Sequence, residues 1–137
     1  MSTRFLERLL GSLGAMACLI IVVRIWQVVS AYQPMWPLPA LYLLELVALG
    51  LLGMAAGFLG DSYGGFLTWA VVGIFSAFVI LGGFSIGPFF MPVVLILALA
   101  AILSDIRLRR NILLELAVCV AAGVLQAALM LTVIQFI

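Results

Sequence analysis

The sequence predicts an all-α integral membrane protein, with five transmembrane helices in a compact bundle forming a single domain over residues 1–137. Three observations predict this. Hydrophobic residues make up 68% of the chain and charged residues 8%, whereas a soluble domain carries roughly a quarter charged residues to cover its exterior. Glycine- and proline-rich breaks divide the apolar sequence into pieces close to the length that crosses a hydrocarbon core about 30 Å thick, roughly 20 residues at about 1.5 Å each. Apart from Arg24, the arginines form two clusters, and an odd number of crossings brings both to the same side.

The first span covers about residues 9–29. Arg4 and Arg8 precede it as they would a secretory leader, and Ala15-Met16-Ala17-Cys18 loosely resembles a lipoprotein cleavage site. The apolar run continues past Cys18 through Leu19-Ile20-Ile21-Val22-Val23, so an uncleaved span is expected. Pro34, Pro37 and Pro39 forbid continuous helix beyond it. The second span covers about residues 40–59 and stops at Gly60-Asp61-Ser62-Tyr63-Gly64-Gly65, a turn by composition.

The long apolar stretch from Phe66 to Leu103 is divided only by Gly82-Gly83-Phe84-Ser85-Ile86-Gly87-Pro88. As one straight helix it would be about 57 Å long, nearly twice the hydrocarbon thickness, with nothing polar to line the excess. A tight Gly/Pro hairpin therefore joins a third span, about residues 66–81, to a fourth, about 89–103. Pro88 takes a first-turn position, where its missing N–H is harmless, and Pro92 is expected to bend the fourth helix. The fifth span covers about residues 112–134.

Arg4 and Arg8 precede span one, and Arg107, Arg109 and Arg110 lie between spans four and five. Five crossings put both clusters in the cytoplasm under the positive-inside rule, with the N-terminus cytoplasmic and the C-terminus outside. Trp26, Tyr32, Trp36 and Tyr42 then bracket the outer boundary, and Tyr63 and Trp69 the inner one. All six cations are arginine. That bias suggests a GC-rich bacterial genome, so the expected location is the bacterial cytoplasmic (inner) membrane.

Several residues do not belong in lipid. Arg24 and Glu45 lie at similar distances either side of Pro34, so two antiparallel helices would place them at similar depth. They form a candidate intramembrane ion pair, either a structural clasp or a substrate or proton site. Gly50, Gly53, Gly57 and Gly60 recur at helical spacing and form a candidate packing face for a close helix neighbour, in this chain or another. Arg107, Arg109 and Arg110 set orientation and form a candidate cluster for anionic lipid headgroups. Ser104 and Asp105 offset those arginines at the water boundary. Glu115 is a first-turn carboxylate near the same loop, and Gln126 is deep enough for an interhelical hydrogen bond.

Histidine is absent, and Cys18 and Cys119 both lie within apolar runs, so neither a disulfide framework nor a CxxC metal site can be built. No catalytic constellation or phosphate loop is present, so no enzyme activity and no cofactor are expected. A net charge of +1 offers no field for nucleic acid. The expected role is a non-catalytic accessory or scaffold subunit of a larger membrane complex, packing apolar helix faces against partner helices, lipid or pigment. The expected partners are membrane lipids and other membrane subunits or a second copy. The alternative is a small oligomeric transporter or channel using Arg24, Glu45 and the Gly82–Pro88 hairpin.

Overall fold

The computed structural model describes residues 2–36, 39–59, 63–83 and 86–136. Among these residues the regular elements are helical: α1 (Thr3–Ser30), α2 (Ala40–Ala56), α3 (Gly64–Leu81), a 3-10 turn (Gly87–Phe90), α4 (Met91–Leu108) and α5 (Ile112–Phe136). Four segments are long and apolar enough to cross a membrane: Thr3–Ser30, Gly64–Leu81, Gly87–Leu108 and Ile112–Phe136. By length and composition this is a multi-pass membrane protein. The fifth apolar helix, α2, has 17 residues, about 25 Å of rise against a core of about 30 Å.

Side-chain caps mark the starts of α1 and α5. α1 begins six residues before the first apolar span because Ser2 caps it, its side chain accepting from the Phe5 N–H at 3.3 Å. At 28 residues it is about 42 Å long, so Arg4, Glu7 and Arg8 ride on helix that extends beyond a membrane's apolar depth. α3 ends at Gly82, whose N–H returns to the Phe78 carbonyl at 2.8 Å. The Gly87 N–H then bonds the Gly82 carbonyl at 2.8 Å, and a Cβ on Gly87 would stand 2.6 Å from the Gly82 carbonyl carbon. Only glycine permits that approach. Phe84 and Ser85, at the tip of the sequence break, lie outside the described residues.

Pro92 lies in the first turn of α4, directly after the 3-10 turn. One expectation needs correction here. α4 continues past Leu103 to Leu108, making Ser104, Asp105 and Arg107 helical rather than a polar boundary loop. It stops at Arg109, which adopts a left-handed conformation at φ 51°. The Asn111 side chain then accepts from the Leu113 N–H at 3.1 Å and starts α5.

Consecutive helices run antiparallel. Gly11 meets Gly53 and Met54 while Cys18 meets Gly50, and Gly14 meets Leu97. Tyr42 packs edge-on to Phe78, and Phe75 lies against Phe90. α1, α3 and α5 therefore share one direction, and α2 and α4 the other. The core lies among α1 to α4 and includes Cys18, Leu46, Phe75, Phe90, Val93 and Leu97. α5 sits outside it, packed mainly along α3, and only Glu115 and Gln126 of its 25 residues are buried.

Candidate functional site

Antiparallel packing gathers Glu7 of α1, Asp105 and Arg107 of α4, and Arg110 and Glu115 beside the start of α5 at one end of the bundle. The buried positions of α4 step through Val93, Leu97 and Ala101, and the same period carries Ser104 and Asp105 to the inward face. On α1 the buried series of Cys18, Gly14 and Gly11 leads back to Glu7. These polar side chains are therefore delivered into the bundle by helical geometry, although hydropathy alone assigns them to the boundary.

Three interactions join the helices there. Arg107 grips Glu7 with a two-pronged ion pair, Nε to Oε1 at 2.8 Å and Nη2 to Oε2 at 3.0 Å, tying α4 to α1. Trp69 donates its indole N–H to Asp105 Oδ2 at 2.8 Å, tying α3 to α4. Arg110 Nη1 lies 3.4 Å from Glu115 Oε1, and its guanidinium stacks over Phe66. Asp105 is 2% exposed and Glu115 1%. Their remaining oxygens, Asp105 Oδ1 and Glu115 Oε2, are buried without a hydrogen-bond partner among the described residues. Trp69 thus stands inside the bundle, 5% exposed, rather than in an interfacial aromatic ring.

Beside these contacts is a cavity of about 310 Å³, lined by Arg4, Glu7, Arg8, Ser104 and Arg107 together with the start of α3 at Gly64, Gly65 and Thr68. Arg8 is fixed at its rim: its Nε–H donates to the Gly57 carbonyl at 3.2 Å, and its guanidinium lies 5.0 Å from the Phe58 ring centre. No family model, curated protein or solved structure matches this chain. The chemistry of the site must therefore be read from its own residues.

The structure does not bring Arg24 and Glu45 together. α1 turns its Cys18 and Val22 side inward. Two residues beyond Val22, about 200° around the helix, Arg24 sits exposed among Leu19, Ile20, Val23 and Gln27. Glu45 instead accepts a hydrogen bond from Gln126 Nε2 at 2.8 Å, the side-chain link between α2 and α5. Nor do the three C-terminal arginines act as one cluster. Arg107 holds Glu7 and Arg110 faces Glu115, while Arg109 is exposed at the helix end. The connection between α4 and α5 is too short, and its neighbouring carboxylates too close, for all three to project outward together.

The glycines of α2 contact this chain's own helices. A Cβ on Gly50 would meet Cys18 at 3.2 Å, one on Gly53 would meet Leu97 at 3.0 Å, and one on Gly57 would meet Arg8 Cα at 3.3 Å. Gly60 lies outside the described residues. Among the described glycines a closer helix approach lies elsewhere, where Gly73 of α3 faces the Cys119 carbonyl of α5 and Gly123 faces the Gly73 carbonyl. Residues that hydropathy does not single out are Glu7, Trp69, Gly73, Ser104 and Asp105. For Glu7, Ser104 and Asp105 a signal exists, the continuation of the buried period past the apolar run. Among the described residues no group of three or more cysteine, aspartate or glutamate side chains is placed to hold a metal ion.

Proposed function

We propose that the protein is a non-catalytic accessory or scaffold subunit of a larger membrane complex, crossing the bacterial cytoplasmic membrane five times with its arginine-rich end and N-terminus in the cytoplasm. The observation that carries this reading is α5. It packs along α3 through small residues, and its inward polar groups, Glu115 and Gln126, are its only buried residues. The rest of the helix presents Leu113, Val120, Val124, Leu125 and Leu129 outward, all more than half exposed. A helix tethered by polar contacts on one side and apolar on the others is suited to lie between this chain and the transmembrane helices of a partner. The 17-residue α2 is counted as a crossing because it runs antiparallel between α1 and α3, and modest local thinning accommodates its length.

The alternative transporter reading uses Arg24, Glu45 and the Gly82–Pro88 hairpin; Glu45 is bonded to Gln126 rather than to Arg24, and Phe84 and Ser85 of the hairpin lie outside the described residues. Purification from native membranes in a mild detergent tests the accessory role. Stoichiometric co-purification with a larger membrane protein, lost when Val120 and Val124 are changed to Trp, is the expected result. A homogeneous, partner-free protein under conditions that keep known membrane complexes intact overturns it.

A further inference from the structure

We infer that Asp105 and Glu115 share a single proton at neutral pH, and that this proton latches the start of α5 to the bundle. Such a latch goes beyond the accessory role and does not depend on it. Three helices bring the two carboxyl groups together. Trp69 lies one turn before Gly73 on α3, and Glu115 one turn before Cys119 on α5. Those helices share a direction and touch where Gly73 faces the Cys119 carbonyl, so Trp69 and Glu115 lie at one level. Asp105 reaches that level from α4, its Oδ2 accepting the Trp69 indole N–H at 2.8 Å. Arg110 Nη1 stands 3.4 Å from Glu115 Oε1. The Arg110 guanidinium and both carboxyl groups act on one another electrostatically.

Two separate counts leave this cluster one proton short. The first is charge. Asp105 is 2% exposed and Glu115 1%, and with both ionised the single cation Arg110 leaves one negative charge buried and unneutralised, which is strongly unfavourable. The second is hydrogen bonding. Asp105 Oδ1 and Glu115 Oε2 are buried acceptors without a donor among the described residues, and buried polar atoms are seldom left unmet. One proton closes both counts. It neutralises the cluster, and the O–H it forms on one carboxyl group donates to the other. No other described group supplies that donor. On α1, Glu7 is engaged by Arg107 and Arg8 donates to the Gly57 carbonyl. α3 carries no titratable side chain, and Arg109 is exposed. On α5, Cys119 lies against Gly73. Glu45 is bonded to Gln126, about 16 Å along α5 from Glu115. Because Glu115 and Gln126 are the only buried residues of α5, ionising the pair sets two like charges against each other at one of its two inward anchors.

Infrared spectroscopy of the full chain in maltoside micelles reads the proton directly, through the carbonyl stretch of a protonated carboxyl group. A Glu45→Gln background removes the carboxyl group that lies deeper in the bundle. At about pH 7 this background should show the band of one protonated carboxyl group. Asp105→Asn and Glu115→Gln should each remove that band entirely, and the double variant no more, because the surviving carboxylate then pairs with Arg110 alone. The latch is read from reversible unfolding in mixed micelles between about pH 5 and 8. Separate carboxyl groups of the unfolded chain ionise near about pH 4, so above that the folded state holds one proton more. Its folded-to-unfolded ratio should then fall about tenfold per pH unit as pH rises, until the pair itself ionises, and Glu115→Gln should lose this dependence. Absence of the band in the background protein overturns the proposal without any further variant. A double variant that loses twice what either single variant loses shows two independent protons and overturns it too, as does loss in only one single variant. An equal pH dependence with and without Glu115→Gln overturns the latch.

Discussion

Replacing Gly73 by alanine tests the packing of α5 most directly. A Cβ there would overlap the Cys119 carbonyl oxygen and stand 2.9 Å from the carbonyl carbon and 3.1 Å from the Cα. All three are backbone atoms, so no rotamer change relieves the contact. The carbonyl carbon alone requires α5 to retreat by about 0.6 Å to reach ordinary contact near 3.5 Å. Overpacking of this kind costs about 1–3 kcal/mol. The retreat also stretches the 2.8 Å bond between Gln126 and Glu45, and an interhelical hydrogen bond in a membrane contributes about 0.6 kcal/mol. Against both stands the better helix propensity of alanine, at most about 1 kcal/mol. The balance is a destabilisation of about 1–3 kcal/mol. Gly50→Ala is the comparator, because its Cβ would meet the side chain of Cys18, at 3.2 Å from Cβ and 3.3 Å from Sγ. Small shifts can relieve part of that contact, so its net change should stay within about 1 kcal/mol. Reversible unfolding in mixed maltoside and dodecyl sulfate micelles measures both. Gly73→Ala proving as stable as Gly50→Ala would refute the close α3–α5 contact.

Two further outcomes follow from the same geometry. Arg24→Leu should change stability by less than about 0.5 kcal/mol because the residue is exposed and apart from Glu45, whereas Glu45→Leu should cost about 1 kcal/mol and Glu45→Gln less, since glutamine keeps an acceptor for Gln126. Rescue of Glu45→Leu by a second change, Arg24→Leu, in a double-mutant cycle would contradict the separation of the two residues. Reporter tags at the two termini should report opposite compartments, the N-terminal one cytoplasmic; two tags in one compartment would remove the five-crossing reading.

Much of the helical layout was legible because membrane helices announce themselves by apolar length and by the residues that end them. Proline before α2, Gly82 and Gly83 after α3, and Asn111 before α5 divide the chain where the helices divide. The link made by Gln126 was legible as a type of interaction but not as a partner. Depth along a helix can be counted in residues, but azimuth depends on which face meets the bundle, and that is fixed by packing. Arg24 and Glu45 were matched by residue count, but Arg24 is exposed on α1 while Glu45 turns to Gln126. The face was readable after the fact from the small residues of α1: Gly11, Gly14, Ala15 and Cys18 are all buried, and Arg24 lies off their stripe.

The polar end was the least legible part, for a reason that bears on its role. A hydropathy window registers a helix only while its residues are apolar, so it closes α4 at Leu103 and opens α1 at Leu9. The helical period carries on through both ends, and there the inward positions are filled by Glu7, Ser104 and Asp105. Apolar residues at those positions would bury well without a partner; carboxylates and a hydroxyl are favourable only where a donor or acceptor meets them. Glu7 and Asp105 are met by Arg107 and Trp69. Those contacts tie α1, α3 and α4 together beside the cavity. Ser104 has no protein partner among the described residues. Hydropathy ends where the inward face turns polar, and there the bundle is held by paired polar side chains rather than by apolar burial alone.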